Sequence, residues 1–391
     1  MKFRISNALF QKNRKSTIEN RPSNIPSTIA QSPNRQIPKS SNLQIILFLL
    51  LSTVLFAQNE ANVWKIPVKC GLDFNTGDPV VIDGFDHGGF GNATMSDSLG
   101  NFLFAAYSFS AYSKNGPLPN SDGLAYGGRS GTVIVKWPGK DRIYYIFSAG
   151  EPEEHPGFYY SLVDMKLLDG QGYVTEKNTE IEAGYDVGSK IGIVKKEGTE
   201  SVWVITRKLT EDAIASYLVD ESGFNPNPVL SAMPDREALS DYDEGNLKIS
   251  PDKKFLIISH RWRLGYGGEL EVCTFNSETG VSDYVLTHKN LLNQTNHIRG
   301  FEYSPDSKFL YVSIGIPYSD STSLYQFEMQ YITDSAMFKN SGQLIGTGDI
   351  LDLQLARDGK IYCGQDGDSQ THLRYYLDVI HKPWISGVGC M

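Results

Sequence analysis

The chain has 391 residues, and its 45 acidic residues outnumber its 36 basic ones, which gives a net charge of −9. An acidic chain without a basic patch repels phosphate backbones, and this excludes nucleic acid as a partner. Its 21 tyrosines, 19 phenylalanines and 37 glycines suit a fold of many short strands and tight turns.

An apolar run from Ile45 to Phe56 follows a leader rich in Ser, Pro, Asn and Gln. The run is shorter than the roughly 20 residues that span a bilayer, but it has the length of a signal-peptide core. We therefore predict a disordered leader over 1–42 (or a translation start further along), a signal core over 43–57, and cleavage after Ala57. The alternatives are an uncleaved anchor and a buried helix.

Cleavage at this point leaves 28 basic residues against 44 acidic ones, a net charge of −16. We expect the mature protein to be secreted or held at the cell surface, without a membrane span, and to be a monomer.

A short motif recurs six times along the chain: a polar turn, such as Ser250-Pro251-Asp252 or Ser304-Pro305-Asp306, followed by an alternating apolar and aromatic strand. The strands of the six copies begin at Phe102, Ile143, Val202, Phe255, Phe309 and Ile361. The intervals of 41, 59, 53, 54 and 52 residues match a four-stranded sheet with its loops. We predict an all-β fold, a single WD40-like β-propeller over 58–391, with six blades, or seven if the interval of 59 contains extra strands.

The last repeat lacks an outer strand, and residues 63–82 contain two strand-like segments that precede the first repeat. We predict that these N-terminal strands complete the last blade, because an unpaired sheet edge invites aggregation.

Several segments are similar to the N-terminal propeller of gliding-motility-associated, type B sorting-domain surface proteins of Bacteroidetes. They are Asn62–Trp64, Gly71–Val80, Ala93–Asp97, Gly100–Phe104, Tyr144–Phe147, Tyr160–Met165, Val202–Ile205 and Phe301–Ser313. The resemblance covers about residues 62–390. It implies a propeller that is not an enzyme. In the larger relatives, repeat domains and a sorting module follow the propeller, so we expect a stand-alone exported propeller or a fragment of a longer protein.

Two segments are candidates for ligand binding. Asp86 and His87 lie in a glycine-rich segment and could bind a metal or polarise a water molecule; the alternative is a connecting loop. Arg261, Trp262 and Arg263 directly follow a predicted strand and suit a carboxylate or the face of a sugar; the alternative is packing between blades.

Other motifs are weaker. Asp366-Gly367-Asp368 resembles part of a calcium loop but lacks its glutamate, so we interpret it as a hairpin turn. The sequence around Ser130 does not match a hydrolase nucleophile motif. We expect no cofactor and no metal.

Four cysteines, Cys70, Cys273, Cys363 and Cys390, lie in the predicted mature chain. If the N-terminal strands join the last blade, Cys70 comes close to Cys390, and we predict a disulfide between them. Cys363 is the rival partner for Cys70, and four free thiols are the alternative.

The functional hypothesis is an exported, non-enzymatic propeller that binds a surface protein or a glycan. The competing hypothesis is a propeller hydrolase or lyase that acts on a glycan or lactone. Such an enzyme needs acids around its central channel, and the predicted inner strands contain Glu302 and Asp352 but no converging histidines.

Overall fold

The computed structural model describes residues 59–66, 70–84, 92–107, 109–128, 130–150, 155–184, 187–234, 245–260, 268–292, 297–315, 321–365 and 377–391. The predicted leader over 1–42 and signal core over 43–57 lie outside these ranges. In the described ranges, antiparallel sheets form the seven blades of a β-propeller. No helix of the described part is long and apolar enough to cross a membrane.

Each blade is one sheet built from consecutive strands. The first three blades are blade 1, β1 (Val63–Ile66), β2 (Cys70–Asp73) and β3 (Val80–Ile82); blade 2, β4 (Ala93–Ser96), β5 (Phe102–Tyr107), β6 (Ser110–Ser113) and β7 (Gly116–Pro117); and blade 3, β8 (Thr132–Lys136), β9 (Ile143–Ala149), β10 (Phe158–Asp164) and β11 (Tyr173–Glu182).

The next two blades have four strands or more. They are blade 4, β12 (Val187–Lys195), β13 (Val202–Lys208), β14 (Ala213–Asp220), β15 (Gly223–Phe224) and β16 (Val229–Ala232); and blade 5, β17 (Leu247–Ile249), β18 (Phe255–His260), β19 (Glu269–Phe275) and β20 (Ser282–Lys289).

The last two blades complete the ring. They are blade 6, β21 (His297–Tyr303), β22 (Phe309–Gly315), β23 (Thr322–Glu328) and β24 (Gln343–Gly348); and blade 7, β25 (Ile350–Leu355), β26 (Ile361–Gln365) and β27 (Asp378–Ile380). The short helices are α1 (Leu167–Gly170) and α2 (Ser335–Asn340), with 3₁₀ turns at Asn59–Ala61, Met329–Tyr331 and Gly387–Cys390.

The first strands of neighbouring blades lie next to one another around the central channel. The predicted inner strands that contain Glu302 and Asp352 are the first strands of blades 6 and 7, β21 and β25. We call the end of the ring where these first strands begin the upper end, and the end where they finish the lower end.

The recurring polar turn follows the first strand of a blade and is closed by its own side chains. Ser250 Oγ donates to Asp252 Oδ1 at 2.7 Å and accepts the backbone N–H groups of Lys254 and Phe255 at 3.1 and 3.0 Å. Blade 6 repeats these contacts with Ser304 as the central serine. The repeat seen in the sequence is therefore a turn that satisfies buried backbone donors.

Apolar clusters fill the spaces between neighbouring blades, as expected for sheets that cannot bury both faces alone. Among the described residues, such clusters join blades 2 and 3, 3 and 4, 4 and 5, 5 and 6, 6 and 7, and 7 and 1. The cluster between blades 7 and 1 contains an aromatic triad, Trp64, Phe74 and Tyr362, whose ring centroids are 5.0 to 5.7 Å apart.

The N-terminal strands do not complete the last blade, and that prediction was wrong. They pair with one another, with Val63 opposite Asp73 and Gly71 opposite Ile82, and form blade 1. The seventh blade therefore comes from the N-terminus and not from the interval of 59 residues, which instead contains the ten-residue strand β11.

Strand β1 runs in the opposite direction to the first strands of blades 2 and 7. Its start lies at the lower end, because Asn59 Nδ2 donates to Ser98 O at 2.7 Å in the turn after β4. Arg357, in the turn after β25, donates to Asn62. The ring thus closes through side chains and apolar packing.

The C-terminal segment covers blade 6. Tyr311 Oη donates to Pro383 O at 3.0 Å, and Gln326 bonds both Ile385 O and the backbone N–H of Gly387. These contacts hold the chain after β27 against its neighbouring blade.

Candidate functional site

The residues that the sequence singled out for ligand binding lie outside the described residues. This applies to Asp86 and His87, to Arg261, Trp262 and Arg263, and to the Asp366-Gly367-Asp368 turn. The structure does describe His260, which immediately precedes Arg261 and ends β18 at the upper end.

A chain of buried charged residues connects blades 4 and 5 at this end. We call it the blade 4–5 cluster: Lys190 and Arg207 from blade 4, and His260 and Glu271 from blade 5. Lys190 Nζ lies 3.0 Å from His260 Nδ1, and His260 Nε2 lies 3.1 Å from Glu271 Oε2. Arg207 Nε lies 3.8 Å from the same carboxylate oxygen.

The donors and acceptors of this cluster fit one arrangement of protons. A lysine ammonium can only donate, so His260 Nδ1 accepts from Lys190 and its Nε2–H donates to Glu271. The imidazole then connects Lys190 to Glu271. Two cations and one carboxylate would leave an excess positive charge, and Asp212 balances it, with Oδ1 3.0 Å from Arg207 Nη2.

Arg207 is held by backbone oxygens as well as by carboxylates. Its Nη1 donates to Lys208 O at 2.6 Å and to Ala213 O at 3.2 Å, across the turn between β13 and β14. Its side chain is fully buried, and that of Glu271 is 1% exposed. A buried charge network of this kind fixes the orientation of the two blades, because either charge alone would be costly in this position.

A lysine, a histidine and a carboxylate in contact could also perform general acid–base chemistry. Lys190 and His260 are both buried, however, so a substrate would have to enter the space between two blades to reach them.

A second charged group lines the central channel. It consists of Lys248, Glu302 and Asp352, on the first strands of blades 5, 6 and 7. Lys248 Nζ donates to Glu302 Oε2 at 2.9 Å and to Leu353 O at 2.6 Å.

The acids of this channel group differ in their surroundings. Glu302 also accepts the backbone N–H groups of Leu355 and Tyr303, both at 2.9 Å, so its carboxylate is fully engaged. Asp352 accepts the N–H of Leu353 at 2.8 Å and is accessible within the channel.

Although Asp352 is accessible from the channel, the surrounding channel walls desolvate its carboxyl and raise its pKa. The nearby Glu302 carboxylate adds to that effect, while Lys248 opposes it. For Lys248, burial favours the neutral amine, but the carboxylates of Glu302 and Asp352 outweigh burial and raise its pKa. Lys248 therefore links its own strand to the first strands of blades 6 and 7 as a charged side chain. The described residues contain no group of three or more His, Cys, Asp or Glu side chains that could hold a metal ion.

All four cysteines carry free thiols, so the predicted disulfide between Cys70 and Cys390 is absent. The physical reason is the separate first blade. Cys70 begins β2 in blade 1, whereas Cys390 lies in the apolar cluster between blades 6 and 7. Cys363, the predicted rival partner of Cys70, shares that cluster with Cys390. Cys273 is a buried free thiol.

Sequence reasoning found Glu302 and Asp352 but missed Lys248 and the blade 4–5 cluster. The signal for that cluster was a charge at a position where the strand pattern is otherwise apolar. Arg207 shares its face of β13 with Trp203 and Ile205, and Glu271 shares its face of β19 with Cys273 and Phe275.

No protein family and no curated protein matches the sequence. Solved structures match at low similarity. The extracellular domain of a one-component system from Bacteroides thetaiotaomicron has 10% identity and a TM-score of 0.42, with 80% of this chain and 36% of that chain covered. The Cps50 (Swd1) β-propeller domain of Myceliophteria thermophila has 10% identity and a TM-score of 0.43, with 83% and 96% covered.

A third match is the exo-β-1,3-galactanase of Phanerochaete chrysosporium, with 8% identity and a TM-score of 0.36, which covers 67% of this chain and 62% of that chain. This chain therefore spans about a third of the length of the Bacteroides structure and nearly all of the Cps50 domain.

Proposed function

We propose that the protein is an exported, non-enzymatic β-propeller that acts as a cell-surface binding or scaffold module for a protein or a glycan. The ring presents connecting segments at its upper end on a rigid support. Such a support lowers the conformational entropy that binding would otherwise cost. The sequence resemblance to propellers of Bacteroidetes surface proteins and the apolar run from Ile45 to Phe56 support export.

The observation that carries this proposal is how the charged groups are engaged. The carboxylate of Glu271 bonds His260 and lies 3.8 Å from Arg207 Nε. The carboxylate of Glu302 bonds Lys248 and a backbone N–H group. Catalysis by two carboxyl groups, or by a carboxyl and a base, needs both groups free to exchange protons with a substrate. In the described channel, Asp352 is accessible, but its neighbours Glu302 and Lys248 are bonded to each other.

The binding site of the proposal includes Arg261, Trp262 and Arg263, which follow directly on the buried His260. Arginine and tryptophan side chains recognise carboxylates and sugar faces. The strand that precedes them, β18, ends at His260, which the blade 4–5 cluster holds in place.

The test combines location, binding and activity. Surface proteolysis and fractionation of the native host should place the protein outside the cytoplasm, with Gln58 at its N-terminus. Envelope polysaccharide and envelope protein are then immobilised separately for interferometry. The protein should bind one of them saturably, and the variant with Arg261, Trp262 and Arg263 changed to Ala should bind it at least about tenfold more weakly.

Lys254→Gln serves as the matched control, because Lys254 is exposed at the lower end. The absence of binding to both fractions, or an intact leader in the cytoplasm, would overturn the proposal. Release of new reducing ends from the polysaccharide, abolished by Asp352→Asn, would instead support the hydrolase alternative.

A further inference from the structure

The space between blades 1 and 2 differs from the other spaces in the ring. Apolar clusters of described residues fill the other six, whereas here the described residues enclose a cavity of about 530 Å³. The cavity opens at the lower end, since the turns that follow β4, β6 and β8 all contribute to its wall. Ligand pockets for small molecules have volumes of roughly 300–1,000 Å³.

The carboxylates in the cavity wall are already bonded to the protein. Asp97 Oδ1 accepts the backbone N–H groups of Leu99 and Asn101 at 2.9 and 2.8 Å. Asp73 Oδ1 accepts both the backbone and the side-chain amide of Asn75, each at 2.8 Å. Their oxygens therefore close turns of the chain. Neutral N–H donors leave the two charges in place, and the wall holds three cations against these two carboxylates.

The three cationic side chains in the cavity wall differ in the contacts that they make with the protein. Lys65 donates to Asp83 O, and its Nζ lies 5.5 Å from the centroid of the Phe102 ring. Lys114 and Arg142, in contrast, make no side-chain hydrogen bond or ion pair with the rest of the described chain. Both line the cavity, one from the turn of blade 2 and one from the turn of blade 3.

The backbone of Arg142 has an unusual conformation. Its φ angle is 57°, a conformation that costs most residues about 1–2 kcal/mol. Asn at this position would adopt the angle more readily. Arginine is also a planar donor that can bind a carboxylate through two parallel hydrogen bonds.

We propose that this cavity, which we call the blade 1–2 cleft, binds an acidic carbohydrate whose carboxylate contacts Lys114 and Arg142. Two cations in a strongly acidic protein form a local attraction for a carboxylate. The amide of Asn115 in the wall suits sugar hydroxyls, because it offers both donors and an acceptor. Asn101 offers its amide oxygen, while its nitrogen donates to Asp97 Oδ2 at 3.0 Å. The cavity holds part of a short sugar chain, and its opening at the lower end lets the rest extend into solvent. This site lies at the opposite end of the ring from the proposed upper-end site, and the inference does not rest on it.

The probe is a galacturonic acid trimer, with a neutral galactose trimer as the comparison, titrated calorimetrically into the folded protein. The acidic trimer should bind, and its affinity should fall as salt is raised from about 50 to 500 mM, because exposed ionic contacts are screened. The neutral trimer should bind at least about tenfold more weakly. Equal binding of the two trimers, or no binding of the acidic one, would overturn the inference.

Two variants, Lys114→Gln and Arg142→Asn, test whether the acidic trimer binds in the blade 1–2 cleft. Each should weaken binding of the acidic trimer at least about tenfold, while melting temperatures stay within about 2 °C of the unchanged protein. Lys254→Gln, at the same end of the ring in blade 5, should leave the affinity unchanged. Full affinity in the double variant of Lys114 and Arg142 would show that the cleft is not the site. Loss of binding only when Arg261, Trp262 and Arg263 are changed would place it at the upper end.

Discussion

Lys190 of blade 4 and His260 of blade 5 are joined by a 3.0 Å hydrogen bond between Nζ and Nδ1, in a space closed to solvent. The two residues are 70 positions apart in the chain. Their contact ties the first strand of one blade to the second strand of the next and continues through Glu271 to Arg207. Four charged or polar side chains thus replace apolar packing at this end of the interface.

Lys190→Met should lower the free energy of unfolding by about 3 kcal/mol, because removal of one partner leaves buried charge without compensation. Urea unfolding followed by tryptophan fluorescence measures the change. Lys195→Met is the matched control on the same strand: its ion pair with Glu200 is solvent-exposed and should contribute less than about 1 kcal/mol. Equal effects of the two substitutions would show that the blade 4–5 cluster adds no stability.

We predict that the buried ring of His288 makes the folded protein less stable in mild acid. Its ring is buried, with Nε2 2.9 Å from Ile332 O and Nδ1 3.2 Å from Ser335 Oγ, and burial lowers its pKa from 6.5 to about 4. The unfolded chain therefore binds a proton more readily than the folded one. The stability due to the neutral ring is complete above pH 6.5 and is lost as the pH falls towards 4, by at most about 3 kcal/mol.

Urea unfolding at intervals between pH 7 and pH 4.5 measures this dependence. His288→Gln should reduce the slope in that range by up to about 1.4 kcal/mol per pH unit, whatever its effect at pH 7. If the variant and the unchanged protein have parallel pH profiles, His288 does not titrate as proposed.

Ser304→Ala should destabilise the protein by about 1–3 kcal/mol, because the hydroxyl accepts two backbone N–H groups in the turn before β22 and leaves them unsatisfied when removed. The Asp306 carboxylate also loses a donor. Burial alone would raise the pKa of Asp306, but hydrogen bonds from Ser304 and Lys308 lower it overall.

Ser98→Ala is the control for this turn, since Ser98 is exposed and its substitution should change stability by less than about 0.5 kcal/mol. Thermal unfolding of both variants measures the difference in stability between them. A Ser304→Ala protein as stable as Ser98→Ala would mean that the recurring motif is not needed to close its turn.

Deletion of residues 62–82 should convert the protein to aggregates, because it removes blade 1 and exposes the apolar face of blade 7 around Tyr362 and Val379. Size-exclusion chromatography with light scattering measures the outcome. Trp64→Phe, which keeps an aromatic ring in the same cluster, should remain monomeric. A monomeric deletion variant with an unchanged melting temperature would contradict the role of blade 1 in closure.

The sequence predicted the propeller because its repeat is local: a serine, an aspartate and the strand after them form one turn, and this unit recurs at blade spacing. It did not predict the place of the N-terminal strands. The strand-like segments within residues 63–82 are visible in the sequence, but their partners depend on packing between Trp64 and Tyr362, which no short motif records.

The charged residues of the candidate site were predicted less completely than the fold, because their partners lie on neighbouring blades. The acids at Glu302 and Asp352 could be placed on inner strands by periodicity. Lys190 and Arg207 look like surface residues in the sequence, and only the neighbouring blade shows that their charges are paired. The arginines and tryptophan after His260 stay a prediction.

The direct contact between Arg357 and Asn59 spans 298 positions of the chain. During synthesis, the first blade therefore leaves the ribosome long before the surface that it packs against exists. The chain must carry Trp64 and Phe74 without their final partner until residue 362 has been added, so ring closure is a late folding step. A protein whose last interface joins segments 298 positions apart stays open while it is being made, and the apolar faces of its first and last blades stay uncovered until the ring closes.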